Sequence, residues 1–187
     1  MTMSTIIMPD DGLEDEVEAV ESFCWLMNST LTREALWSPT GADEAINLYH
    51  ALYYEGSVNN GGHTGYIANC DNRAEMFGAA LNGTRLVGAQ AYEGIIVALI
   101  ACSQRNPDEI MRLISELSES RSRLPKLDHL DDLFFAARDQ RAMRSFAYDW
   151  LCRSPKVRTV AKEEFLEVVL RAGSASGSNS NDRPAAQ

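Results

Sequence analysis

The sequence predicts an all-α protein: a single compact multi-helix domain followed by a disordered C-terminal tail. Three observations carry this expectation. Apolar residues recur at three- and four-residue spacing through most of the chain, the period of a helix with one buried face. Strict apolar–polar alternation is nowhere sustained, so a sheet is not expected. From Gly173 the chain reads Gly-Ser-Ala-Ser-Gly-Ser-Asn-Ser-Asn, which has nothing to bury. The expected organisation is an N-terminal segment over 1–12, a helical domain over 13–172 and the tail over 173–187. At 187 residues, 45% of them hydrophobic, the chain is long enough to close one core.

Each element has its own pattern. Leu13, Val17, Val20, Cys24 and Met27 form the first stripe, and acids in its first turn favour a helix start through the macrodipole. After the turn Ser38-Pro39-Thr40-Gly41, a second stripe runs through Ala45, Leu48, Tyr49, Leu52 and Tyr53. Asn59-Asn60-Gly61-Gly62 predicts a turn, followed by short helices over 63–69 and 73–81. Ala89 to Cys102 is apolar nearly all round, which places that helix in the middle of the bundle. Pro107 opens the next helix, and Pro125 separates it from a segment around Leu127 to Phe135. Two last helical stripes are expected, from Met143 to Leu151 and from Val157 to Val169. No run approaches the roughly 20 apolar residues that span a bilayer, and the N-terminus lacks the basic region of a secretory signal. A cytoplasmic location is therefore expected.

Charge is the first functional clue. The net charge is -10, and it is uneven. Residues 1–109 hold 16 acids against four bases, whereas residues 110–187 hold 11 acids and 13 bases. Phosphate would be repelled by such a surface, so direct binding to nucleic acid or to an anionic membrane is not expected. Asp10, Asp11, Glu14, Asp15, Glu16, Glu18 and Glu21 form a run with no basic residue inside it. Such a run is ordinarily a solvated helix face. It can also imitate a nucleic-acid backbone, because carboxylates three or four apart on a helix lie about 5–6 Å apart. Glu34, Asp43 and Glu44 would extend the face.

Chemistry-bearing motifs are sparse. Cys24, Cys70, Cys102 and Cys152 are scattered without a Cys-x-x-Cys pair and are expected to be reduced and mostly buried. With only His50, His63 and His129 besides them, no metal is expected, and no cofactor-binding pattern is present. Neither a nucleophile elbow nor a phosphate-cradling glycine loop occurs, so the chain is not expected to be an enzyme. The unusual segment is Asn59-Asn60-Gly61-Gly62-His63, with Tyr66 and Asn69 beyond it. It is either an architectural turn or a small polar pocket built from amides, an imidazole and a phenol. His63 could serve as a base, but no partner carboxylate is evident from the sequence. Leu127 to Phe135 carries Asp131-Asp132 beside an aromatic pair, for which helix capping is the simpler role.

Val58 to Asn69, read as V-N-N-G-G-H-T-G-Y-I-A-N, resembles the signature of the DNA mimic protein 19-like family. Val87-Gly88-Ala89 with Tyr92, and Leu130-Asp131-Asp132-Leu133-Phe134-Phe135, resemble two further elements of that family, so the likeness spans about residues 40–153. Ser57, His63 and Gly65 stand where the family usually has glutamate, phenylalanine and glutamine. The resemblance implies an all-helical fold. It also implies an acidic protein, in the best-known case a dimer, that occupies the DNA-binding face of a transcription factor. A basic DNA-binding protein is accordingly the expected partner and a homodimer the compatible assembly. A ligand-binding or hydrolytic role at the Asn-Asn-Gly-Gly-His turn is the alternative.

Overall fold

The computed structural model describes residues 5–32, 39, 43–116 and 125–177. Among them are eight helices and one two-stranded parallel sheet. In chain order these are β1 (Ile6–Pro9), α1 (Glu16–Thr30), α2 (Glu44–Ala68), α3 (Arg73–Val87), α4 (Gln90–Arg105) and α5 (Pro107–Glu116). After them come α6 (Pro125–Gln140), α7 (Met143–Arg153), β2 (Val157–Val160) and α8 (Lys162–Gly177). The expected all-α architecture holds, with one addition. β1 pairs with β2 from Ile6↔Val157 to Pro9↔Val160, extended by Ile6 N–H donating to Lys156 C=O and Asp10 N–H to Val160 C=O, both 2.8 Å. Four-residue strands are too short to display an alternating pattern, and each finds its partner from the opposite end of the chain. The segment 157–169, expected as one helical stripe, is therefore a strand followed by the start of α8.

The middle of the bundle is α2 rather than α4. Ala45, Ile46, Leu48, Ala51, Leu52, Tyr54 and Val58 are buried on α2, together with the polar Asn47, His50 and Glu55. Those polar side chains dilute its apolar signature and disguise its central position. α4 buries one face through Tyr92, Ile95, Ile96 and Leu99 while Val97 stays 45% exposed. Helix α3 lies unusually close along α2. A Cβ at Gly83 would overlap the Asn47 carbonyl and sit 2.8 Å from Ala51 Cβ. Glycine is what lets the two backbones meet. Gly88 ends α3 in the left-handed region at φ 74°, with Ala89 N–H returning to Thr84 C=O at 2.9 Å.

α1 starts at Glu16 because Asp15 caps it, its Oδ1 accepting from Val17 N–H (2.9 Å) and Glu18 N–H (3.0 Å). Its core face is Ala19, Phe23, Leu26 and Met27, one step round from the expected stripe, so Val17 is left 46% exposed. The Asn-Asn-Gly-Gly segment does not end a helix. It bends α2 at Gly62, whose φ of 64° and ψ of -174° break the helical backbone before 63–68 resumes it. α8 continues to Gly177, into the region expected to be tail. The rest of that tail, 178–187, and the expected turn at Ser38-Pro39-Thr40-Gly41, apart from Pro39, lie outside the described residues. Among the described residues no helix is long and apolar enough to cross a membrane, and no cluster of three or more potential ligands could hold a metal ion. The cysteines are free: Cys70 is buried, Cys24 and Cys102 are half-buried, and Cys152 is exposed, against the expectation of mostly buried thiols.

Candidate functional site

At the kink of α2, Gly62 frees the N–H of His63 from the helix, and Asp131 of α6 reaches across to take it. Asp131 Oδ1 accepts from His63 N–H at 2.8 Å and lies 2.6 Å from His63 Nδ1. A proton on Nδ1 therefore faces the carboxylate, and Nε2 accepts from Tyr54 O–H at 2.8 Å. In this arrangement both ring nitrogens of the imidazole have a partner. His63 and Tyr54 have no exposed surface. Burial raises the Tyr54 hydroxyl well above its ordinary pKa, reinforced by Tyr92 and by the Asp131 charge, so the phenol keeps its proton and acts as a donor. Phe134 closes the cluster, meeting Tyr54 (5.6 Å), His63 (6.2 Å) and Tyr92 (5.6 Å) edge-to-face.

The sequence reading left His63 without a partner carboxylate. The structure supplies Asp131, which also performs the capping role expected of its segment, on a helix other than its own. Of the remaining residues of the turn, Tyr66 borders this cluster through Tyr54, and Asn59, Asn60, Gly61 and Asn69 stand apart from it. Tyr66 is buried against Tyr54 and Phe77, at 5.0 and 5.3 Å between ring centroids. Asn59 and Asn60 are exposed, Asn59 Oδ1 accepting from Arg138 at 3.1 Å. Gly61 faces open space, and Asn69 is an exposed C-cap whose carbonyl accepts from Tyr53 O–H at 3.5 Å. None of four surface cavities found on the molecule is lined by Tyr54, His63, Tyr66 or Asp131. Chemically, the assembly is a clamp that fixes a bent helix against α6.

The acidic run follows β1 into α1. Asp10, Asp11, Glu14, Asp15 and Glu21 are exposed, and Glu16 and Glu18 are half-buried. Their duties differ. Asp15 is the α1 cap. Glu16 Oε1 accepts from Ser145 O–H at 3.0 Å, which ties α1 to α7. Lys162 at the start of α8 contacts Asp11 Oδ2 (3.0 Å) and Glu18 Oε1 (3.3 Å). Hydrogen bonds to these two carboxylates, Asp11 foremost, raise the Lys162 pKa. Among the described residues it is the only cation in an ion pair with the run. Asp43 is turned inward, 8% exposed, and caps α2 by accepting from Ala45 N–H at 2.9 Å; it does not extend an outward face. Glu44 pairs with Lys156 at 3.0 Å beside Arg153, in mixed-charge surroundings. Glu34 lies outside the described residues.

Sequence reasoning passed over Tyr54, Glu55 and Trp25. Glu55 is buried, and its Oε1 accepts from Met143 N–H at 2.7 Å, capping α7 from α2. Burial raises its pKa, against the lowering effect of that bond and of Arg144. A lone acid in an apolar stripe was the available signal. Trp25 stands 44% exposed on α1. A family model described as DMP19-like protein matches residues 42–154, which covers the kink, the clamp and the helices around them. No curated protein and no solved structure matches the chain.

Proposed function

The chain belongs to the DMP19-like protein family, and from that premise we propose that it is an acidic protein-binding module, a DNA mimic that occupies the DNA-binding surface of a transcription factor or another basic nucleic-acid-binding protein. One observation carries the reading. The carboxylates from Asp10 to Glu21 emerge along one strand end and one helix, five of seven are exposed, and Lys162 is the single cation paired with them among the described residues. Three or four residues advance a helix by about 4.5–6 Å, a charge spacing comparable to the roughly 3.4 Å per phosphate of one DNA strand. Lysines and arginines set for phosphates would find carboxylates within the same reach.

This run lies outside the 42–154 match, so the anionic face is a property of this chain's own N-terminal part, and its assignment rests on charge and exposure. A ligand site at the Asn-Asn-Gly-Gly-His turn has less support, since His63 and Tyr66 are buried while Asn59, Asn60 and Asn69 face solvent.

The test replaces Asp10, Glu14 and Glu21 by lysine together, sparing the cap Asp15, the Ser145-bound Glu16 and the Lys162-bound Asp11 and Glu18. Wild-type protein immobilised with a host lysate should retain a basic protein that elutes as salt rises and is displaced by duplex DNA. The reversed variant, with helicity by circular dichroism unchanged, should retain none. Undiminished, salt-insensitive retention by the variant overturns the proposal.

A further inference from the structure

We propose that Trp25 and the apolar strip beside it on α8 are the anchor of the docking surface, and that the partner's matching face is cationic around a protruding apolar side chain. The inference rests on the acidic run being the partner-binding face and supplies an apolar anchor that borders that face at Glu18 and Glu21. Trp25 follows Glu21 by four residues and Glu18 by seven, so all three share one side of α1. Its ring meets the buried Phe165 edge-on at 6.0 Å, which fixes the indole while leaving it 44% exposed. A cleft of about 350 Å³ lies at this point. Trp25, Phe165 and Leu166 form its apolar wall, and Glu18, Glu21 and Lys162 line its polar side. Leu170, 64% exposed, continues the strip one turn beyond Leu166.

A large aromatic held in one orientation loses little freedom on binding, and such residues at the centre of a contact carry most of its energy. The rim decides the partner. Carboxylates bordering the cleft favour a cationic protein face, whereas a second copy docked about a two-fold axis would set the same carboxylates against each other. Charge then sets the rate of encounter and its salt dependence, and the indole sets how long the complex lasts.

The probes are two synthetic helical peptides of equal positive charge, one arginine-rich with a leucine strip, the other with that strip replaced by glutamine. Affinities come from the anisotropy of the labelled peptides. Emission is read in a Trp37→Phe, Trp150→Phe background, which leaves Trp25 as the sole reporter of the three tryptophans. The leucine peptide should bind about tenfold tighter, the effect of one buried anchor, and shift Trp25 emission to the blue. Trp25→Ala should erase that advantage, and so should Leu170→Gln at a position without a core role. Both should keep the salt-sensitive binding of the glutamine peptide. Equal affinity for the two peptides, or an advantage that survives both substitutions, overturns the anchor and leaves the acidic-face reading standing. Failure of both peptides to bind, or binding indifferent to salt, overturns the acidic-face reading and this one with it. Self-association that Trp25→Ala abolishes, seen by sedimentation, makes a second copy the occupant and overturns the cationic partner.

Discussion

Asp131 holds two donors of His63 at once, and the cost of losing it follows from what it leaves behind. In Asp131→Ala the backbone N–H and Nδ1–H of a fully buried residue lose their acceptor. Each orphaned buried donor costs about 1–3 kcal/mol, so for the two a loss of about 2–6 kcal/mol is expected by urea unfolding. The two bonds can be separated. In a His63→Phe background only the backbone donor remains, and Asp131→Ala should then cost about 1–2 kcal/mol less. Purely additive losses would mean that the imidazole link contributes nothing. Gly62→Ala strikes the same clamp, because its Cβ would stand 2.5 Å from Asp131 Oδ2 at a φ of 64°. A loss of about 2–3 kcal/mol is expected from strain and displacement of the carboxylate. Glu55 has the opposite character. Its folded pKa is raised, so the folded state binds that proton more tightly than the unfolded chain. Its contribution is fully present below the ordinary glutamate value and fades as pH climbs through the raised one. Glu55→Gln keeps an acceptor for Met143 N–H and removes the charge. It should flatten this part of the pH–stability curve and leave the variant at least as stable as wild type at neutral pH.

At the scale of elements, the helical period was enough to place most of the bundle, and its failures share a cause. Period reports which side chains on one segment share a face, but not which of two neighbouring faces the fold covers. On α1, Val17, Val20 and Cys24 make as regular a stripe as Ala19, Phe23 and Leu26. The choice was settled by what packs there, namely β1 and α8 on one flank and α2 and α7 on another. The order of burial was misread for a related reason. α4 looked central because it is aliphatic, whereas α2 is central with Asn47, His50 and Glu55 inside it, and buried polar residues are invisible as core until their partners are known. The clamp had its parts in view, Asn59 to His63 and Asp131-Asp132, yet 68 residues separate His63 from Asp131 and no local pattern spans that. Close approach of α3 to α2 was equally hidden. Gly83 reads as a weak point in a helix, but a methyl there must push against the Asn47 backbone. Gly83→Ala should therefore destabilise by about 1–3 kcal/mol despite its better helix propensity, whereas Gly78→Ala on the same helix, with open space, should stabilise slightly. Thermal melts of the two variants give the comparison.

For the whole molecule, the relevant quantity is the field rather than any pair. A net charge of -10 with its deficit of bases in the first 109 residues leaves the N-terminal run in a field that its own fold does little to cancel. Lys162 is the exception, and it stands between Asp11 and Glu18, on the polar side of the cleft beside Trp25. Two roles are open to it, and they differ in sign. As a structural tie between α8 and the start of α1, it would lower stability when removed and weaken any partner that needs this geometry. As a local counter-charge, it would be a cation that an incoming basic face must oppose, so its removal would strengthen binding. Its exposure favours the second role, since pairs held in water contribute little to folding. Lys162→Gln should leave the melting temperature nearly unchanged, yet bind the arginine-rich peptide a few-fold more tightly at low salt, with a steeper dependence of affinity on salt. The gain should vanish at high salt, where screening removes the field but spares the apolar contact at Trp25. Weaker binding of Lys162→Gln at every salt concentration would assign the lysine to structure and count against an anionic face whose strength is set by its uncompensated charge.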